Sequence, residues 1–453
     1  MVPVFVAFFM LLPGILQAQG AEAPALQLTH PPGQTPSPAV ITLQDALDRA
    51  KNLDVGLQSA LLDAQTAGED RAQARAARLP GVTERTQYLG TQGNGTLPSG
   101  RFVTNDGVHV YREWGILSQD VSANTILGTV YKRAQAAEAF AKAKAEVALR
   151  GLQVTVTKNY YALVTAERKY GTAQLGLQQA ARFLQIATDQ ERAGQTAHSD
   201  TVKADLQYQQ SKQAFDDATL AMDNAKLNLA VMLFPAINEN FTVVDDLDTP
   251  QALPSFADAQ AMAEKQNPDL RAANEALRQT GFDVKAARNA FLPSGGIETD
   301  YGIEANAFAL HSSVAADPDR RVLPNLGYFV TATLNIPVWD WGTLRSKLRQ
   351  SEFKQKEAQI TLSQTQRQLQ TNLYLFYNEA TAARSAVEST RRASQLAAES
   401  LRLVLLRYQA GESTVLDVVD AQNSLIQTRN AYDDAETRYR IAIATLQQLT
   451  GGF

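Results

Sequence analysis

Two stretches of this chain read almost alike, and their spacing constrains the fold more than any other feature. Residues 192–216, RAGQTAHSDTVKADLQYQQSKQAFD, match residues 409–433, QAGESTVLDVVDAQNSLIQTRNAYD, at an offset of 217. Gly194 pairs with Gly411, Asp200 with Asp417, Ala214 with Ala431 and Asp216 with Asp433. A second set matches at an offset of 213: Asp45 with Asp258, Leu57 with Leu270, Arg75 with Arg288, and Leu79-Pro80 with Leu292-Pro293. A unit of about 215 residues repeated once implies pseudo-symmetric architecture rather than one catalytic cleft.

Each unit divides into four parts. An amphipathic helix, 42–78 in the first copy and 255–291 in the second, ends both times at Leu-Pro, because proline removes the next donor and disfavours helix before it. Two β-like stretches follow, joined by a loop rich in Gly, Pro, Asn and Asp: 82–90 with 108–121, then 297–307 with 326–338. A very long helix (124–192, 343–409), a glycine turn and a last helix (199–234, 414–449) close the unit. The repeats are expected over 41–235 and 255–450, with a linker at 236–254.

The long helix has coiled-coil character. In the second copy Leu369, Leu373, Phe376, Ala380, Ala383 and Val387 alternate steps of four and three, and Leu401, Val404 and Tyr408 rejoin that register. This period winds helices left-handedly around one another. Thr390, Ser394 and Ala397 dilute the seam, which suits a helix wall beside water better than a dry zipper. Such a helix is about 100 Å long.

The strands alternate with period two. In 326–338 the residues Tyr328, Val330, Ala332, Leu334, Ile336 and Val338 share one face, with Thr331, Thr333 and Asn335 opposite. In 297–307 the residues Ile297, Thr299, Tyr301 and Ile303 lie opposite Glu298, Asp300 and Glu304. A membrane barrel strand, lipid on one side and water on the other, reads this way, and so does a soluble sheet with one wet face. The first-copy strands alternate less cleanly, and Glu84 falls on the apolar face. Four strands cannot close a barrel, and open edges are not tolerated in lipid, so several chains must contribute.

Composition excludes other classes. A net charge of −5 and a pI near 5.6 speak against nucleic-acid binding, which needs clustered Lys and Arg. Cysteine is absent, which removes disulfides and thiolate ligands. His30, His109, His198 and His311 are scattered without ligand spacing, so neither a metal site nor a cofactor is expected. With no phosphate loop or nucleophile–base constellation, the chain does not read as an enzyme. The opening apolar run Val2–Leu16 is too short to span a membrane, and small residues follow at Ala18, Gly20 and Ala21. That pattern favours an export signal over 1–20, then a Pro-rich tether over 21–40. The first Lys or Arg is Arg49, so the usual basic start is missing and the natural start is expected upstream.

Taken together, the Leu-Pro helix ends, the passage NIPVWDWGTLRSK (335–347) and the turns RAGQTAHSD and RYQAGESTVLDVVDAQ resemble the TolC-like outer-membrane efflux protein family. The resemblance covers residues 40–450 and implies a mostly α fold with membrane β. It implies a homotrimer in which four strands per protomer form a 12-stranded barrel in outer-membrane lipid. Long helices would continue as an α-barrel through the periplasm. It also implies an exit duct served by an inner-membrane pump and a periplasmic adaptor. Family gate positions fall on Asp200, Tyr408, Asp417 and Asp420, and adaptor-docking turns on Gly194, Gly411 and Ser413. Ser413 stands where the family network has an arginine; Arg192 and Arg407 are possible substitutes.

Plainer roles compete at each position. Thr414 with Asp417 reads as a capping box, and a first-turn acid such as Asp417 or Asp200 favours the helix dipole. Asp420 lies one turn on and fits an acidic stripe better. Gly194 and Gly411 read as helix-ending glycines with positive φ. Glu298, Asp300 and Glu304 either line a barrel lumen and favour cations or form a solvated strand face. A periplasmic adaptor or a soluble coiled-coil scaffold is the alternative reading. An adaptor should show one central hairpin between lipoyl-like and β-barrel halves, whereas this chain shows tandem copies.

Overall fold

Thr42 and Ser255 begin the two repeats with the same chemistry. Each hydroxyl accepts the backbone N–H three residues on, at Asp45 and Asp258, over 3.2 Å. From these caps run α1 (Leu43–Leu53) and, in the second copy, a helix over Phe256–Gln266. Both end after 11 residues, where Asp54 and Asn267 sit in extended backbone. Their side chains accept from the N–H groups of Leu57 at 2.6 Å and Leu270 at 2.9 Å and so start a new helix. The single helix expected over 42–78, and again over 255–291, is therefore two helices in each copy. A short polar acceptor at the break satisfies donors that a continuous helix would not leave free.

The computed structural model describes residues 38–94, 97–100, 109–194, 196–236, 240–305, 308–311 and 325–451. The expected export signal and nearly all of the tether lie outside them. In chain order, β1 (Ala39–Ile41), α1 and α2 (Val55–Ala76) are followed by β2 (Gly81–Gly90), β3 (Gly93–Asn94), β4 (Leu97–Gly100) and β5 (His109–Asp120). Then come α3 (Ala123–Ile126), α4 (Thr129–Arg192), α5 (His198–Leu233) and β6 (Phe241–Val243). The second copy holds α6 (Phe256–Gln266), α7 (Pro268–Asn289), β7 (Ser294–Ala305), β8 (Leu326–Asn335), α8 (Thr343–Gln409) and α9 (Val415–Thr450). The helix expected over 124–192 is split, because Gly128 has φ 62° and leaves the helical path between α3 and α4.

β2, β5, β7 and β8 form one antiparallel sheet in that order, so the two repeats meet at the β5–β7 pair and β2 and β8 are free edges. β1 and β6 form a parallel pair, Ala39 opposite Phe241, which no sequence pattern announced. Helices α4 and α8, of 64 and 67 residues, fold back through short turns onto α5 and α9. The expected seam is apolar and inward: Leu369, Leu373, Ala380, Ala383, Leu401 and Tyr408 are buried. No helix among the described residues is long and apolar enough to cross a membrane.

Candidate functional site

The far ends of the helix pairs are two turns built on the same plan. Gly194 and Gly411 have φ of 74° and 77°, and nothing lies within 4 Å of the position a Cβ would take. Backbone conformation, not space, therefore requires glycine at both. The hydrogen bonds Gly194 N–H to Glu191 O (2.9 Å) and Gly411 N–H to Tyr408 O (3.0 Å) finish the helices.

Past the glycines the two turns differ. Thr414 caps α9, and Asp417 returns to it in a complete capping box. One oxygen, Oδ2, accepts from the Thr414 N–H (2.8 Å), the Thr414 hydroxyl (2.8 Å) and the Ser413 hydroxyl (2.9 Å). These donors, the backbone N–H foremost, hold the Asp417 carboxyl below its ordinary range. Ser413, which the resemblance sets at the position of an arginine, is thus engaged with Asp417 in its own turn. Asp420 is exposed and makes no hydrogen bond or ion pair with any described residue. Asp200 has no equivalent box: the cap of α5 is Ala197, which has no side-chain acceptor, and Asp200 lies 3.7 Å from Lys203 Nζ.

Tyr408 joins the two turns. Its ring is buried against Phe183 of α4 (centroids 5.2 Å apart), with Ala187, Ala204, Val415 and Val418 around it. Its hydroxyl donates to Gln190 Oε1 at 2.8 Å. Burial, with Asp200 nearby, raises its pKa. The structure thus brings Tyr408 and Asp200 into one electrostatic neighbourhood, while Asp417 and Asp420 lie on the following helix with exposed carboxylates. Sequence reasoning missed Glu191, which accepts from His198 Nδ1 (2.9 Å) across the first turn and whose pKa is lowered by Thr201 and then His198. The spacing of Glu191 and His198 on either side of Gly194 was the available signal.

At the opposite end, strand register sorts the sheet into two faces. Val82, Tyr301, Tyr328, Val330 and Leu334 are exposed on one face. Glu84 lies there too, and its carboxyl meets Glu113 of β5. Glu298, Asp300 and Glu304 share the other face with Arg112, Trp114, Ile116 and Phe329. Glu304 is paired with Arg112 at 2.6 Å, and Arg112 also reaches Gln87 at 3.2 Å. Glu298 is half-buried without an ion pair to any described residue, and Asp300 is 2% exposed. The three acids are therefore not equivalent. At the root of β8, Trp339 and Trp341 stack edge to face at 5.5 Å and are largely exposed, Trp341 with φ 56°. Amphipathic rings of this kind are enriched at membrane–water boundaries.

Between the two ends, residues 244–254 cross the helices as a strap. Arg440 is 2% exposed and gives Nη2 to the carbonyls of Asp246 (2.5 Å), Leu247 (3.2 Å) and Thr249 (2.6 Å). Arg168 binds Asp245 (2.5 Å), Asp248 (2.8 Å) and Asp433 (3.2 Å). Tyr160, Tyr439 and Tyr377 donate to the carbonyls of Val244, Gln251 and Pro254. Asp433 is buried, whereas its repeat partner Asp216 is exposed.

A sheet with one exposed apolar face and one face carrying acids, set on helix hairpins about 100 Å long, defines an outer-membrane protein with a periplasmic helical tunnel. The chain resembles the TolC-like outer-membrane efflux proteins. The family described as Outer membrane efflux protein matches residues 260–452. The chain is 23% identical over 418 residues to the outer membrane protein TolC of Vibrio cholerae, covering 90% of each. It is 29% identical over 198 residues to the outer membrane efflux protein BepC of Brucella suis, where the match spans 44% of this chain and 41% of BepC. The crystal structure of VceC from Vibrio cholerae superimposes with a TM-score of 0.74 over 90% of this chain and 96% of that one, at 16% identity. These matches do not favour a periplasmic adaptor or scaffold.

Proposed function

We propose that the chain is a passive outer-membrane exit duct of a tripartite efflux or type I secretion system, working as a homotrimer. An inner-membrane pump and a periplasmic adaptor deliver its cargo, and the turns at Gly194, Gly411 and Ser413 are where the adaptor docks. One observation carries this reading: the four-stranded sheet has both edges free while one face is apolar and exposed. Unpaired strand edges are intolerable in lipid, so copies must close them on one another, and three copies give 12 strands. The repeats, 41–235 and 255–450, are then pseudo-equivalent wall segments joined by the linker at 236–254.

The gate of this duct is the tip constellation of Asp200, Tyr408, Asp417 and Asp420. Its acids differ in what else they do. Asp417 is committed to the start of α9, whereas Asp420 is exposed and unengaged, as a carboxylate facing a pore axis must be. Asp420 copies held near the axis would narrow the pore, and a cation held among them would offset their mutual repulsion. Native mass and planar-bilayer conductance of the detergent-extracted protein test the reading. A trimer giving small, cation-selective, long-lived steps supports it; a water-soluble species without conductance sinks it. Asp417→Ala with Asp420→Ala should raise single-channel conductance, with Asp420→Ala alone giving most of the loss of cation preference.

A further inference from the structure

Asp300 is a carboxylate without a partner in a place where carboxylates need one. It is 2% exposed, its Oδ2 is fully enclosed, and no hydrogen bond or ion pair reaches it from any described residue. Arg112, on the same face, is taken by Glu304 and Gln87. Arg85 is two strands away and makes no ion pair with any described residue. An unpaired buried carboxylate is strongly disfavoured, and such a group in a folded protein calls for a missing counter-ion.

What covers Asp300 indicates the kind of counter-ion. Trp114 on β5 stands opposite Gly302 of β7, and Phe329 on β8 stands opposite Asp300 itself. β5 and β8 are separated by β7, which puts their backbones roughly 10 Å apart. The two rings nevertheless meet edge to face with centroids 5.1 Å apart, so they reach across β7 over the Gly302–Asp300 step. At Gly302 the backbones of β5 and β7 come close: a Cβ there would lie 1.9 Å from the Glu113 carbonyl oxygen. Ile116, 3% exposed, borders Asp300 from the β5 side. The result is a buried carboxyl flanked across the strands by Ile116 and by Phe329, whose ring meets the indole of Trp114.

We infer that Asp300, Trp114 and Phe329 form a binding subsite for organic ammonium cations on the inner face of the strand wall. The carboxylate supplies the charge, and the rings present their π-faces to a poorly hydrated cation once they part around it. A small hydrated metal ion suits the subsite poorly, because it needs several oxygen ligands and Asp300 stands alone. The subsite's place on an exit path rests on the duct reading; the binding itself does not.

The test uses the full chain in detergent with Trp339→Phe and Trp341→Phe, which leaves Trp114 as its one indole. Emission is followed during titration with choline chloride, with 3,3-dimethylbutan-1-ol as the neutral isostere, and with sodium chloride. Choline should give a saturable change that the other two lack. Asp300→Asn should weaken it about tenfold or more, and Phe329→Leu several-fold. Equal responses to choline and to the alcohol, a response that sodium chloride reproduces, or unaltered affinity in Asp300→Asn would each overturn the subsite. Bilayer conductance of the same preparation separates the two ideas. A conducting protein that does not saturate with choline removes the subsite and keeps the duct, and a non-conducting protein that does saturate has the reverse meaning.

Discussion

Tyr408 makes two separable contributions at the tip. The hydroxyl's bond to Gln190 is worth about 1 kcal/mol, while loss of the ring from its pocket against Phe183 costs roughly 3–5 kcal/mol. Tyr408→Phe should therefore leave amide exchange near the α8–α9 turn only slightly faster, and Tyr408→Ala should loosen it markedly. Gly411→Ala isolates a different quantity. With open space around the position, its cost is the left-handed backbone alone, about 1 kcal/mol, and Gly411→Asn should cost less. A large melting-temperature drop for both variants would show that the turn packs against something.

At the scale of elements, the strap reports on itself through Tyr160. Burial, then the charge of Asp246, pushes the Tyr160 hydroxyl up to about 12, while Val244 O accepts its proton at 2.7 Å. The folded pKa exceeds the unfolded value of about 10, so this contribution is complete below pH 10 and is lost as pH rises from 10 to 12. Roughly 2–3 kcal/mol is involved. Wild-type protein should show an alkaline loss of stability in that window, and Tyr160→Phe should show less of it while being weaker at neutral pH. If both chains keep equal alkaline profiles, Tyr160 does not link pH to the strap. The strap also marks where sequence reading ran out. Periodicity located the long helices and the four strands because one repeating contact with a neighbour shapes each. Arg168 with Asp245, Asp248 and Asp433 leaves no such pattern, since its partners lie 77, 80 and 265 positions away. The helix breaks at Asp54 and Asn267 are local chemistry inside an unbroken apolar pattern. At the tip, the positive φ of Gly194 and Gly411 and the Asp417 box were readable, because caps are short-range. The Tyr408–Gln190 contact and the enclosure of Asp300 were not, because each depends on a facing element.

At the scale of the molecule, the free edges β2 and β8 make a prediction that the natural absence of cysteine renders simple to test. Chains carrying one cysteine on β2 and one on β8, walked along the strands, should cross-link on oxidation into closed three-chain rings at matching registers. Cysteine pairs need Cα atoms about 4.4–6.8 Å apart, so success should alternate with position. Monomers at every position, from a protein that still folds, would exclude edge-to-edge closure.

The strap has a mechanical consequence for such a ring. Arg168 lies on α4 some 24 residues above Arg192, an arm of about 36 Å, and ties that helix through residues 245–248 to α9. A rod held at one level can swing only beyond the support. In the proposed ring the strap would be a fulcrum: motion at the turns would be amplified along the arm while the bore at the pivot stayed fixed.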